Sequence, residues 1–245
     1  MSPAPLQGGA RRMKRMLLFG LVLAMAGCAK FPSTGGTSGG KLLIFRLRVD
    51  GKIRTGEEPG SAGQPFIYMV ALRPSLSSNP TEQGPIPVLA PPWGNGFVAG
   101  NCTHFVWWNP LQFPRYAIYK FQDVELNTYT QVGVPINYRE VTSGAKEIYF
   151  EINLSQLEPD PEVAARLESI QVNFLTMDRI PQSGTVKFWD AIGNGNIPSQ
   201  INDYLVIPLR TSALYQNSDN DIEPRGDQAD PDLDIVDWSV EVRIQ

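Results

Sequence analysis

The stretch from Lys41 to Asp50 reads KLLIFRLRVD, and the stretch from Ile235 to Ile244 reads IVDWSVEVRI. In the first, Leu43, Phe45, Leu47 and Val49 fall on one side, with Arg46, Arg48 and Asp50 on the other. In the second, Trp238, Val240, Val242 and Ile244 alternate with Ser239, Glu241 and Arg243. A period of two marks a half-buried strand, because successive side chains leave opposite faces of a pleated backbone. The matching patterns predict that the first and last strands pair or lie close together.

Working outward, Phe66 to Leu72 (FIYMVAL) is apolar at every position, as a central strand covered on both faces would be. Glu147 to Asn153 (EIYFEIN) alternates, with Ile148, Phe150 and Ile152 expected inward. Short strands are also expected at Phe97 to Ala99, His104 to Trp108, Arg115 to Phe121, Val124 to Val132, Ile170 to Met177, Thr185 to Trp189 and Tyr204 to Leu209. Their spacing suits an antiparallel sandwich. Asp160, Pro161 and Glu162 supply a cap, a first-turn proline and a first-turn acid for one short helix through Leu167. Pro74 to Asn95 holds six prolines and reads as a long loop, whose Val88, Leu89 and Trp93 would pack it on the sandwich. The 245 residues include 22 Gly and 21 Pro but are 42% hydrophobic and only 19% charged, which excludes a disordered chain and favours many turns. The expected fold class is all-β: an antiparallel, jelly-roll-like β-sandwich with long loops and one short helix.

Ahead of this domain, Arg11, Arg12, Lys14 and Arg15 precede an apolar run from Met16 to Met25, followed by Ala26, Gly27 and Cys28. A basic cluster, an apolar run and small residues in that order make a secretory signal. The run is about half of the roughly 20 residues that span a bilayer. The segment resembles the bacterial lipoprotein signal, whose lipobox ends in a small residue and a cysteine; Met25 stands where Leu is usual. The resemblance implies cleavage after Gly27, acylation of Cys28, and attachment to the cell-envelope membrane, the outer one if the organism has two. Two or more acyl chains hold a protein stably at a bilayer. Residues 1–27 are thus expected to be the signal peptide, 28–40 a lipidated cysteine with a Gly- and Ser-rich flexible tether, and 41–245 the β-sandwich.

Four of the 21 basic residues fall in the signal, leaving 17 against 25 acidic ones, a net charge of −8 that makes nucleic acid an unsuitable partner. From Asp219 to Asp237, eight acidic residues face the single Arg225. Alternating oxygen donors at Asp219, Asp221, Asp230, Asp232 and Asp234 suit a hard cation such as calcium, although the EF-hand pattern is not met. The commoner reading of such a segment is a solvated loop.

Trp107 and Trp108 are adjacent in an expected strand, so one should enter the core while the other faces outward or lies under a loop. An outward Trp, joined by Trp93, Tyr116 and Trp189, would make a platform for the apolar faces of sugars; burial under the Pro-rich loop is the alternative. Cys102 is the only cysteine of the mature chain and His104 the only histidine. No oxyanion motif or third orienting group accompanies them, so a structural thiol is the default. Asp178, Asp190 and Asp203 are expected at strand ends or turns, where two acids could act as a hydrolytic pair.

The two-sided strand Phe66 to Leu72, the segment EIYFEINLSQL from Glu147 to Leu157, and Ile170 to Phe174 leading to Met177, Asp178 and Arg179 together resemble DOMON-like and family 9 carbohydrate-binding sandwiches. That resemblance implies a jelly-roll-like domain and, in some members, sugar or haem binding; no specific binding residue carries over. The function expected from the sequence is a membrane-anchored envelope lipoprotein with a non-catalytic binding domain, for a glycan or a protein partner. The alternatives are a secreted hydrolase using Asp or Glu carboxylates, and a structural or assembly lipoprotein without a small-molecule site.

Overall fold

The computed structural model describes residues 40–59, 63–87, 95–180, 187–194 and 203–245. Five antiparallel strands form one sheet, in the order β13 (Ala213–Gln216), β14 (Ile235–Ile244), β1 (Lys41–Val49), β9 (Glu147–Asn153) and β8 (Asn137–Tyr138). As the alternation predicts, β1 and β14 pair, from Lys41 opposite Ile244 to Arg48 opposite Asp237. The facing sheet runs β11 (Trp189–Ala191), β10 (Ser169–Met177), β2 (Ile67–Ser75), β5 (His104–Trp108), β6 (Tyr116–Phe121) and β7 (Tyr129–Gly133), with β12 (Leu205–Pro208) also on β10. The expected strand at Val124 to Val132 is shorter at its start, because Leu126 adopts a positive φ in a turn. The sandwich is thus all-β, as expected.

The inward faces of both sheets make one core. Phe45 stacks on Phe150 at 5.1 Å and meets Phe174 of the other sheet edge-on at 6.5 Å, while Phe174 stacks on Trp238 at 6.1 Å. Fully burying such a side chain contributes roughly 1.5–3 kcal/mol relative to leaving it in water. Leu42 and Ile44 of β1 are also buried, so this strand is covered on both faces over its first half. The reading of β2 as two-sided has its cause in a second apolar cluster on the outer face of the larger sheet. Met69, Ala71, Phe105, Tyr119, Phe121 and Leu175 pack there beneath Phe97 and Val98. Val98 belongs to a small hairpin, β3 (Pro85–Pro87) with β4 (Val98–Gly100), which Asn173 holds by donating from Nδ2 to Pro85 O at 3.0 Å. The Pro85–Pro87 end of the Pro-rich region is thus held on the sandwich, while Val88, Leu89 and Trp93, expected to pack the loop, lie outside the described residues.

The helix α1 (Pro161–Arg166) forms where expected, capped by Asp160, whose carboxylate accepts from Glu162 N at 2.9 Å. A second one-turn helix, α2 (Asn217–Asn220), opens the acidic loop. Among the described residues no helix is long and apolar enough to cross a membrane.

The strand directions define two ends. At the proximal end the chain enters at Gly40, whose carbonyl accepts from Gln245 N at 2.9 Å. At the distal end lie the finish of β1, the starts of β2, β9 and β14, and the finishes of β5 and β10. A nine-residue strand such as β1 separates them by roughly 30 Å, at about 3.3 Å per residue.

Candidate functional site

Two regions of chemical interest share the distal end, and strand ends build both. The first lies between the sheets. Asp190 of β11 sits opposite Thr176 of β10, and Thr176, on the inward side, donates from Oγ1 to Leu233 O at 2.5 Å. This brings β11 against the loop that precedes β14. One carboxylate oxygen each from Asp190, Asp227 and Asp234 lie within 4.8 Å of one another. Backbone amides orient them: Ala191 N and Ile235 N donate to the two oxygens of Asp190 at 2.9 and 2.7 Å, and Gly226 N donates to Asp234 at 3.0 Å.

Glu223 lies beside this cluster, tied to the end of β11. Its backbone exchanges two hydrogen bonds with the Asn217 side chain, at 2.8 and 3.1 Å, and Gly193 N donates to its Oε2 at 2.9 Å. The residue is 2% exposed, and its other oxygen, Oε1, is buried with no hydrogen-bond donor. Burial, followed by the charges of Asp190 and Asp227, pushes the Glu223 carboxyl up to about 11. Burial and Asp227 likewise hold Asp190 well above the usual carboxylate range. In both, burial is the larger cause and the neighbouring acids add to it.

The acidic loop divides the expected ligand residues among different surroundings. Asp234 joins the cluster, but Asp232 instead receives Arg54, whose Nη2 lies 2.7 Å from its Oδ2, together with Lys52 N at 2.9 Å. Asp230 turns the chain, accepting from Asp232 N at 3.0 Å. Asp219 and Asp221 are exposed and lie outside the cluster. Alternate spacing had implied a ligand run, but the chain here forms turns, which do not keep alternate side chains on one side. Glu223 and Asp227 had no ligand pattern of their own. For Asp190 there was one signal, a carboxylate inside the otherwise apolar run FWDAI from Phe188 to Ile192.

The second region is an open groove of about 300 Å³ on the outer side, lined by Gln64, Phe66, Trp107, Asn109, Asp178 and Arg179 among others. Trp107 is half-buried, its ring 6.3 Å from that of Tyr119. Asp178 accepts from Arg179 Nε at 2.9 Å and from Phe188 N at 3.0 Å, which fixes both polar side chains beside the indole. Arg54 lies 4.3 Å over the Phe66 ring and so connects the groove wall to the acidic loop. Leu111, which also lines the groove, and Phe113 nearby in sequence are 67% and 97% exposed.

Of the aromatic residues expected to form a platform, only Trp107 lines this groove among the described residues. Trp108 and Tyr116 are 1% and 0% exposed and belong to the inter-sheet core, where Trp108 meets Tyr68 edge-on at 6.1 Å. They cannot touch a ligand, because strand alternation turns them inward. Trp189 is half-buried on the outer cluster, with Lys187 Nζ at 5.9 Å from its ring. Trp93, and the signal and tether with Cys28, lie outside the described residues. Cys102 and His104 are core groups: burial pushes the thiol up to about 12 and the imidazole down to about 4. An un-ionised thiol is a poor nucleophile, so the pair lacks the activation that Cys chemistry needs. Comparison with family models, curated proteins and solved structures gives no match, so the reading of both regions rests on their own residues.

Proposed function

We propose that the chain is a lipid-anchored cell-envelope protein whose β-sandwich is a non-catalytic binding module, with the Trp107 groove as a glycan site. The observation that carries this reading is the pairing of a half-buried indole with fixed planar polar groups at one open groove. An indole face stacks on the apolar face of a sugar ring, while carboxylate, guanidinium and amide groups match its hydroxyls in pairs. The groove lies at the distal end, away from the point where the tether joins the domain. The basic cluster, apolar run and Cys28 support the anchor.

Full-length chain, solubilised in detergent, is applied to a glycan array. Binding lost in Trp107→Ala and retained in Asp219→Asn supports the reading. A folded chain that binds no glycan sinks it and favours a protein partner docking on exposed Leu111 and Phe113. For the anchor, Cys28→Ala is expected to move the protein from the membrane fraction to the soluble one; persistence at the membrane counts against acylation.

A further inference from the structure

We propose that Asp190, Glu223, Asp227 and Asp234 form a calcium site that ties the acidic loop to β11. The first observation is the convergence of three carboxylate oxygens within 4.8 Å between the sheets. The second is independent of it: Glu223, 2% exposed and held by Gly193 N three residues after Asp190, carries a buried carboxylate oxygen with no donor. A buried oxygen without a donor costs free energy unless something positive meets it. Arg54 is engaged with Asp232 and Arg225 with Asp50.

The donor set selects the ion. All four groups are carboxylates, which suits a hard cation and not the softer metals that take His or Cys. Magnesium holds its waters and is bound through one or two carboxylates, whereas calcium accepts several carboxylates in an irregular, largely protein-made shell at about 2.3–2.6 Å. Opposite ligands around calcium are then roughly 4.6–5.2 Å apart, a span these oxygens can occupy with small side-chain shifts. The amides of Ala191, Ile235, Gly226 and Gly193 already hold the carboxylates, leaving further lone pairs for the ion. The site joins segments far apart in sequence: Asp190 from β11, and the other three from the loop between α2 and β14. Calcium binding would therefore close that loop onto the distal end, independently of whether the groove binds a sugar.

The test uses the full-length chain in detergent, stripped with a chelator and titrated with calcium chloride while heat and thermal unfolding are recorded. Uptake of about one calcium per chain is expected, with a Tm that rises with calcium concentration. Asp190→Asn and Asp234→Asn each keep an amide-accepting oxygen and remove a buried charge, so both variants should fold and be at least as stable as the parent without metal. Their calcium affinity should fall by about 100-fold or more, whereas Asp219→Asn should bind within about twofold of the parent. No calcium uptake at millimolar concentration by a chain with native circular dichroism overturns the proposal. So does unchanged affinity in both cluster variants, and an equal Tm rise with magnesium overturns the choice of calcium. Trp107→Ala should leave calcium binding intact, so failure of the glycan reading and failure of this one are told apart.

Discussion

The two halves of the sandwich treat buried titratable groups in opposite ways. Toward the proximal end, in the β2–β5 row that joins Leu72 to His104, burial keeps Cys102 and His104 un-ionised, with the charge of Lys120 across the strand pair adding to the effect on the imidazole. Each still has a hydrogen bond: the thiol donates to His104 O at 3.2 Å, and Thr103 Oγ1 lies 2.9 Å from His104 Nδ1. At the distal end, acids are buried beside other acids, and their fates diverge over two residues: Asp232 meets Arg54, while Asp234 meets Asp190. The lesson is that a residue type carries chemistry only together with what the fold brings to it. A lone buried group becomes neutral and serves the core, whereas acids buried against each other are pushed toward the neutral form until a cation meets them.

The largest expected effect comes from making the paired half of the distal end resemble the unpaired half. Arg54→Met leaves Asp232 buried without its guanidinium and should cost about 3 kcal/mol in urea unfolding, at the low end for a broken buried pair because Arg54 is partly exposed. A loss below about 1 kcal/mol would put this pair in the class of surface ion pairs. Gly51 lies under the same carboxylate, and a Cβ there would fall 2.2 Å from Asp232 Oδ1 and 2.8 Å from the Pro231 carbonyl. Gly51→Ala should therefore also destabilise, in the same direction as Arg54→Met.

Acid probes the proximal side. The folded chain keeps His104 neutral down to about 4, while the unfolded chain takes up its proton near 6.5. The stability this group contributes is fully present above about 6.5 and is lost as pH falls from there through 4, by up to about 1.4 kcal/mol per pH unit and up to about 3.5 kcal/mol in all. Comparing the unfolding free energy of the parent with that of His104→Gln between about pH 7 and pH 4 isolates it from the distal acids. A difference that does not change with pH would mean that His104 is not held neutral.

Smaller effects sharpen the contrast. Asp190→Asn, by relieving buried like charges, should raise metal-free stability by about 1 kcal/mol, opposite in sign to Arg54→Met. A clear loss would show that its amide bonds outweigh the repulsion. Asp219→Asn, exposed and away from the cluster, should shift stability by less than about 0.5 kcal/mol. A larger shift would extend the distal site to α2.

The strand pattern made most of the fold legible. β1, β5, β9, β14 and α1 lie within a residue of their expected bounds, because alternation and helix capping are local properties of the chain. Short edge strands such as β8 and β13 had no such pattern, since two or four residues cannot display a period. The site was less legible. Trp107 and Trp108 were known to point apart, but which one faces out depends on which side of β5 the second sheet covers.

The sequence by itself determined an all-β domain, because period and capping are written in near neighbours. Only the tertiary structure decided which acids meet. Asp190 stands 37 residues before Asp227 in the chain, yet the β10–β11 pairing and the turn at Asp230 bring their oxygens within 4.8 Å. Electrostatic interaction depends on distance in space and on burial, and neither quantity is a property of spacing along the chain.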